Sequence, residues 1–125
     1  MSTRKSLKVY VYKGCDTCRR ALKFLDSKGI AYDPIPIREQ PPSPAELKAM
    51  LARYQGQLRK LFNTSGQDYK ALNMKDRLPA MTADEAVKLL SENGNLVKRP
   101  FVVTSGGGLV GFDETGWLAM IQDRG

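Results

Sequence analysis

Residues 8–20 read KVYVYKGCDTCRR, an apolar, strand-forming run followed by two cysteines and two arginines. A helix-forming stretch begins just after Cys15, which places that thiol at a predicted helix N-terminus. Unpaired backbone N–H groups and the positive end of the helix macrodipole both stabilise a thiolate there. The macrodipole contributes about 0.3–1 kcal/mol, less than one pKa unit. We therefore expect direct N–H bonds or the cations Arg19, Arg20 or Arg99 to complete the activation.

The second cysteine begins the apolar stripe of the same helix. Cys18, Ala21, Leu22 and Leu25 follow the i, i+3, i+4, i+7 spacing of one buried face. Cys18 is therefore predicted to point inward and Cys15 to lie one turn outward. A buried Cys18 suits an inert packing thiol as well as the second member of a redox-active Cys-x-x-Cys pair, and both interpretations stay open.

Composition limits the chemistry. The chain has 125 residues, of which 42% are hydrophobic, which predicts one globular domain. It contains no histidine, which excludes Cys–His and Ser–His–Asp catalysis and the histidine-based zinc motifs. Two cysteines are too few for a disulfide scaffold, and we expect no metal site.

Charge and hydropathy indicate the compartment and the partners. The sequence has no apolar signal core near its N-terminus and no stretch suited to a membrane span, so we expect a cytoplasmic protein without membrane contact. The net charge is +7, but the Lys and Arg residues are spread along the chain and aromatic residues make up only 8% of it. This pattern disfavours direct DNA or RNA binding.

Three further segments predict strands. Residues 31–37 contain two prolines, which suit an edge strand better than a central one, and they complete a strand–helix–strand unit. Residues 101–104 and 109–112 flank the turn Ser105-Gly106-Gly107-Gly108 and predict an antiparallel hairpin.

The middle of the chain predicts helices. Residues 43–46 and 82–85 each have a capping-box pattern, which predicts a helix start at both places. Shorter helices are predicted over 57–62 and 67–72. A closing helix carries the apolar residues Trp117, Met120 and Ile121.

This order of elements resembles the arsenate reductase/Spx family on the thioredoxin-like, glutaredoxin-like fold. The similarity spans about residues 7–122 and depends on the Cys-x-x-Cys helix, on Lys98-Arg99-Pro100-Phe101-Val102-Val103 and on Gly111-Phe112. It implies an α/β domain over 1–125 with a mixed sheet of about four strands. The thioredoxin-like core would comprise about 7–38 and 97–122, with a helical insertion at about 39–96.

The resemblance also implies roles for individual residues. Cys15 would be the nucleophile, facing Arg99 and a cis Pro100, and Arg59 from the insertion would complete an anion pocket. Arg59 is assigned from its position upstream of residues 63–69, which are similar to the family's insertion. Either Cys18 or an external thiol would then resolve the intermediate. The Cys-x-x-Cys spacing brings the two sulfurs within reach of each other, so we expect oxidation to form a Cys15–Cys18 disulfide.

The implied activity is that of a thiol-dependent reductase without a bound cofactor. Glutathione or another thiol would be its cosubstrate, thioredoxin or glutaredoxin its protein partner, and a small anionic or thiol compound its substrate. Glutathione-coupled arsenate reductases typically have one cysteine in this loop and an arginine where Phe112 stands here. The Cys-x-x-Cys and the Gly-Phe ending are similar to Spx and to uncharacterised reductase-like proteins.

The alternative implied by the resemblance is an Spx-like redox-sensing regulator that binds RNA polymerase. Gly56 falls near a glycine that Spx proteins use at that contact.

Overall fold

The computed structural model describes residues 7–104 and 107–123. Its strands are β1 (Leu7–Val11), β2 (Tyr32–Pro36), β3 (Phe101–Thr104) and β4 (Gly107–Val110). Its α-helices are α1 (Asp16–Ser27), α2 (Pro44–Arg53), α3 (Gln67–Ala71), α4 (Met74–Arg77), α5 (Ala83–Glu92) and α6 (Glu114–Asp123). Short 3-10 turns occupy Leu58–Leu61, Leu78–Ala80 and Gly94–Leu96.

The strands form one mixed sheet in the order β2-β1-β3-β4. β1 and β2 are parallel and are connected through α1, whereas β3 pairs antiparallel with both β1 and β4. β2 lies at an edge, as its prolines predict, because a proline has no N–H to donate to a second neighbour. The sheet and its helices confirm the predicted α/β class with a thioredoxin-like core.

The described residues divide into two compact units. The sheet unit comprises residues 7–36 and 99–123, and the helical unit comprises residues 37–98. The predicted insertion at 39–96 falls within the second unit.

In the sheet unit, α1 and α6 pack on the same face of the sheet. That face carries Leu7, Val9 and Val102, which form one buried cluster with residues of both helices. The buried members of this core are Leu7, Val9, Ala21, Leu25, Val102, Trp117 and Met120. The opposite sheet face carries Tyr10 and Phe101, whose rings meet edge to face with centroids 5.8 Å apart.

In the helical unit, both predicted capping boxes are present. The side chain of Ser43 accepts the Glu46 N–H, and the Glu46 carboxylate accepts the Ser43 N–H. Thr82 and Glu85 repeat this arrangement at the start of α5. Each cap satisfies N–H groups that the helix itself cannot pair, which is why the two helix starts were predictable from local sequence.

Two secondary-structure predictions need correction. The strand predicted over 109–112 is β4 at Gly107–Val110, because Gly111 has φ +74° and turns the chain out of the sheet. The helix predicted over 57–62 is a 3-10 turn at Leu58–Leu61. Of the predicted hairpin turn, Ser105 and Gly106 lie outside the described residues.

The close approach at Gly94 gives a stability prediction for the helical unit. A Cβ at this buried position would overlap the carbonyl group of Ile37, and backbone cannot move aside as a side chain can. We expect Gly94→Ala to lower the free energy of unfolding by about 1–3 kcal/mol, the usual cost of overpacking. Urea denaturation measures this, with the exposed Glu92→Ala as control. Equal midpoints for the two variants would contradict the close approach.

Candidate thiol site

Cys15 joins the end of β1 to the start of α1. Its backbone N–H donates to the Tyr12 carbonyl at 3.0 Å, which closes the turn after the strand. Cys15 has an extended backbone, with φ −101° and ψ 115°, and is the N-cap of the helix. Its Sγ accepts the Cys18 N–H at 3.3 Å, so the sulfur takes the place that an oxygen has in most N-caps. This confirms the predicted helix-tip position.

The environment of Cys15 favours its thiolate. Partial burial opposes ionisation, but three contacts outweigh it and hold the pKa of Cys15 below its ordinary value. The Cys18 side chain and backbone both donate hydrogen bonds to the sulfur, and Arg99 donates another and adds its positive charge. The sequence predicted that the macrodipole alone would not activate Cys15 and that direct N–H bonds or a cation would complete the activation. Both a direct N–H bond and a cation are present.

Cys18 has the opposite environment. It is 1% exposed, and this burial, reinforced by its hydrogen bond to Cys15 and by the nearby Cys15 charge, raises the pKa of Cys18 to about 12. Cys18 therefore keeps its proton at neutral pH and donates it to the Cys15 sulfur. Both cysteines are free thiols here.

Of the three candidate cations, Arg99 is the one that acts on Cys15. Arg19 pairs with the Asp16 carboxylate and donates to the Lys13 carbonyl at 2.8 Å. Arg20 donates to the Thr17 hydroxyl at 3.4 Å. The bond between Arg99 and Pro100 is cis, as the resemblance implied, and the Pro100 carbonyl accepts the Gly111 N–H at 2.8 Å.

Tyr12 is a site residue that the sequence reasoning missed. The guanidinium of Arg99 lies over the Tyr12 ring, 4.9 Å from its centroid, in a cation–π contact. Gly14 leaves room for this ring, because a Cβ there would lie 2.7 Å from the Tyr12 Cε2 atom. The available signal was an aromatic residue and a glycine directly before Cys15.

The remaining predicted residue, Arg59, lies in the helical unit. It is exposed in the 3-10 turn Leu58–Leu61. Cys15, Cys18, Arg99 and Pro100 all belong to the sheet unit, where the first three interact directly. The role of Arg59 in an anion pocket stays a prediction.

The described residues contain neither a candidate metal site nor a candidate membrane-spanning helix. No group of three or more cysteine, aspartate and glutamate side chains in residues 7–104 and 107–123 could hold a metal ion. No described helix combines the length and hydrophobicity needed to cross a membrane.

The arrangement can perform thiol exchange. Cys15 offers a half-exposed sulfur whose lowered pKa favours the thiolate, the form of cysteine that attacks another sulfur. Cys18 holds a protonated thiol within hydrogen-bonding reach of it, one helical turn away. The pair therefore combines a nucleophile with an adjacent second thiol that could form a disulfide with it.

Several known proteins are similar to this chain in sequence. The chain is 45% identical over 109 residues to the uncharacterised protein YusI of Bacillus subtilis, covering 87% of this chain and 92% of YusI. It is 30% identical over 95 residues to an arsenate reductase of Rhizobium meliloti, covering 76% and 66% of the two chains. It is 29% identical over 109 residues to the global transcriptional regulator Spx of Enterococcus faecalis, covering 86% and 80%.

The fold comparison leads to the same group of proteins. A crystal structure of an ArsC family related protein from Bacteroides fragilis superposes with a TM-score of 0.87 at 39% identity, covering 94% of this chain and 99% of that one. The sequence profile of the ArsC family matches residues 10–120, which include the whole Cys-x-x-Cys helix and the Arg-Pro segment. The chain therefore belongs to the ArsC family and is related to both arsenate reductases and Spx regulators.

Proposed function

We propose that this chain is a thiol-dependent oxidoreductase that uses Cys15 as its nucleophile. The observation that carries the proposal is the contrast between two cysteines on one helical turn. Cys15 is half-exposed with a lowered pKa, whereas Cys18 is buried with a pKa near 12. Environments that separate the pKa values of two neighbouring groups in this way are typical of sites in which the two groups have different chemical roles.

In the first step, the Cys15 thiolate attacks one sulfur of a disulfide substrate. A Cys15–substrate mixed disulfide forms, the substrate S–S bond breaks, and the other sulfur leaves as a thiolate. We propose that Arg99, with Arg59, holds a carboxylate or another anionic group of the substrate, because a guanidinium suits planar anions. This favours small anionic disulfides of the glutathione type.

In the second step, Cys18 or an external thiol such as glutathione resolves the mixed disulfide. Attack by Cys18 on the Cys15 sulfur forms the Cys15–Cys18 disulfide and releases the second substrate sulfur as a thiolate. The Cys18 proton passes to a departing thiolate. Two electrons have then moved from the protein to the substrate, and a thioredoxin- or glutathione-type reductant returns them.

The identity to Spx supports a second candidate, a redox-sensing regulator that uses the same disulfide as a switch. In that case the pair would be oxidised once per signal, and RNA polymerase would be the partner that the resemblance implies. The two candidates share a reactive Cys15 and differ in catalytic turnover.

Turnover separates the two candidates. The substrate is a mixed disulfide of glutathione. Electrons are supplied from NADPH either by glutathione and glutathione reductase or by thioredoxin and thioredoxin reductase. We expect continuous NADPH oxidation in at least one of these two assays, which shows repeated turnover. Cys15→Ser should abolish turnover. If Cys18 resolves the mixed disulfide, Cys18→Ser should accumulate it, visible by mass spectrometry; if glutathione resolves it, Cys18→Ser should keep turning over in the glutathione-coupled assay. Arsenate is tested in the same assays. Stoichiometric oxidation without turnover, together with recovery of RNA polymerase in a pulldown, would support the regulator instead.

The pH dependence of alkylation tests the activation of Cys15. The rate follows the thiolate fraction, so a lowered pKa moves the rise in rate to lower pH than for an ordinary cysteine. Cys18, with its pKa near 12, should remain unreactive at neutral pH. Arg99→Ala removes a hydrogen bond to the thiolate and a positive charge near it. The pH midpoint of Cys15 alkylation should therefore move to higher pH, and the alkylation rate at pH 7 should fall severalfold. Arg99→Lys should recover the pKa more fully than it recovers anion binding.

The exposed neighbour Lys98 provides the control, because Lys98→Ala removes one positive charge and leaves the sulfur's contacts in place. Equal midpoints for the Arg99→Ala and Lys98→Ala variants would exclude Arg99 from the activation of Cys15.

The Tyr12 ring should act as a positioning residue for Arg99. Tyr12→Leu removes the aromatic face under the guanidinium, so we expect the Cys15 alkylation midpoint to move to higher pH, by less than in Arg99→Ala. The separate variant Tyr12→Phe keeps the aromatic ring and should therefore have the wild-type midpoint of Cys15 alkylation. A Tyr12→Leu profile identical to wild type would show that Arg99 is held without the ring.

A further inference from the structure

A second site lies on the sheet unit, along the outer face of α1. It is a groove of about 390 Å³, lined by Arg20, Lys23, Phe24 and Lys28 on the helix side and by Phe112 and Glu114 on the other. The helix residues follow a spacing of three or four and therefore share one face. This face is distinct from the stripe of Cys18, Ala21 and Leu25, which is buried in the core.

The rim of the groove carries an excess of positive charge. Arg20, Lys23 and Lys28 are all exposed, and Glu114 is the single carboxylate among the lining residues. Within residues 7–104 and 107–123, none of the three cations forms a salt bridge with a carboxylate. The Lys28 ammonium also lies over the Phe24 ring, 5.6 Å from its centroid. Three cations against one carboxylate favour an anionic occupant.

The floor of the groove is aromatic and firmly supported. Phe24 and Phe112 are half-buried and meet edge to face, with ring centroids 5.6 Å apart. Beneath them lies Trp117, which is 1% exposed and 5.1 Å from Phe112, and its indole N–H donates to the Gly111 carbonyl at 3.0 Å. A preformed apolar floor can take an apolar side chain at little ordering cost.

The open form of the groove favours a chain segment over a small molecule. Its rim residues are exposed, so a bound group would stay uncovered on one side, whereas small ligands are usually enclosed over most of their surface. The two phenylalanine rings meet at an angle of 62° and form no flat platform of the kind on which bases stack. The floor therefore suits an inserted side chain better than a nucleobase.

We infer that this groove binds an acidic segment of a partner protein, with an aromatic or aliphatic side chain of that segment seated on Phe24 and Phe112. The partner's carboxylates then face Arg20, Lys23 and Lys28. The groove begins five residues after Cys15 on the same helix, a rise of about 7.5 Å. A protein bound there lies beside the nucleophile.

Trp117 provides the measurement, because it is the only tryptophan in the chain and supports the groove floor. The probe is a synthetic heptapeptide with a central phenylalanine flanked by aspartates and glutamates, added to the reduced full-length protein. We expect a saturable change in tryptophan fluorescence that weakens as salt is added. A peptide with serine in place of the phenylalanine should bind more weakly, and one with lysines in place of the acids should not bind.

Charge reversal locates the site. Lys23→Glu combined with Lys28→Glu should weaken binding about tenfold or more, because it removes two attractions and introduces two repulsions. The matched control is Lys75→Glu combined with Lys88→Glu, which changes the net charge equally in the helical unit and should bind as wild type does. Chemical-shift changes at residues 20–28 and 112–114 report the same site independently of Trp117.

Several outcomes would overturn the inference. They are the absence of a saturable response, equal weakening by the two charge-reversal pairs, or equal binding of the serine-containing peptide. Tighter binding of a single-stranded oligonucleotide, lost in the groove variant, would also overturn it. Binding needs no thiol chemistry and is repeated in Cys15→Ser, so failure here leaves the proposed oxidoreductase function untouched.

Discussion

Cys15 connects β1 to α1 through two hydrogen bonds, one towards the strand and one towards the helix. The Cys15 N–H closes the turn onto the Tyr12 carbonyl, and the Cys15 sulfur caps the first turn of the helix through the Cys18 N–H. One residue therefore ends the strand, starts the helix and provides the nucleophile. Because the capping bond comes from an N–H that the helix cannot otherwise satisfy, the interaction that positions the sulfur also stabilises its charge. The direction of α1 then turns Cys18 inward and leaves Arg20 and Lys23 on the outer face.

The two cysteines show how burial and hydrogen bonding separate the chemistry of identical side chains. Each pKa unit corresponds to about 1.36 kcal/mol between the protonated and ionised forms. Cys18 lies among apolar core residues, where a charge is costly, and its proton is directed at Cys15. Cys15 receives that hydrogen bond, a backbone N–H and the Arg99 guanidinium. The neutral member of the pair therefore stabilises the charged member, and the Tyr12 ring contacts the Arg99 cation.

The end of the C-terminal hairpin carries the chain from the sheet to the aromatic residues beside α1. Gly111 turns the backbone out of the sheet after Val110, and the next residue packs against Phe24 and Trp117 instead of extending the strand. Phe112 thereby becomes part of an aromatic cluster with Phe24 of α1 and Trp117 of α6. The ArsC family match covers most of the sheet and the Cys-x-x-Cys helix, while residues such as Phe112 shape the surface beside that helix.

Local sequence was sufficient for the features that depend on neighbouring residues. The helix starts at Ser43 and Thr82, the edge strand with its prolines and the helix-tip Cys15 all follow from hydrogen bonds and backbone limits within about four residues. Features that depend on residues distant in sequence could not be obtained this way. Three arginines were equal candidates until folding brought Arg99 to Cys15 and left Arg19 and Arg20 bonded to their own helix and loop. The Tyr12 contact and the strongly raised pKa of Cys18 required the packed core, because desolvation and cation–π contacts depend on which surfaces meet in space.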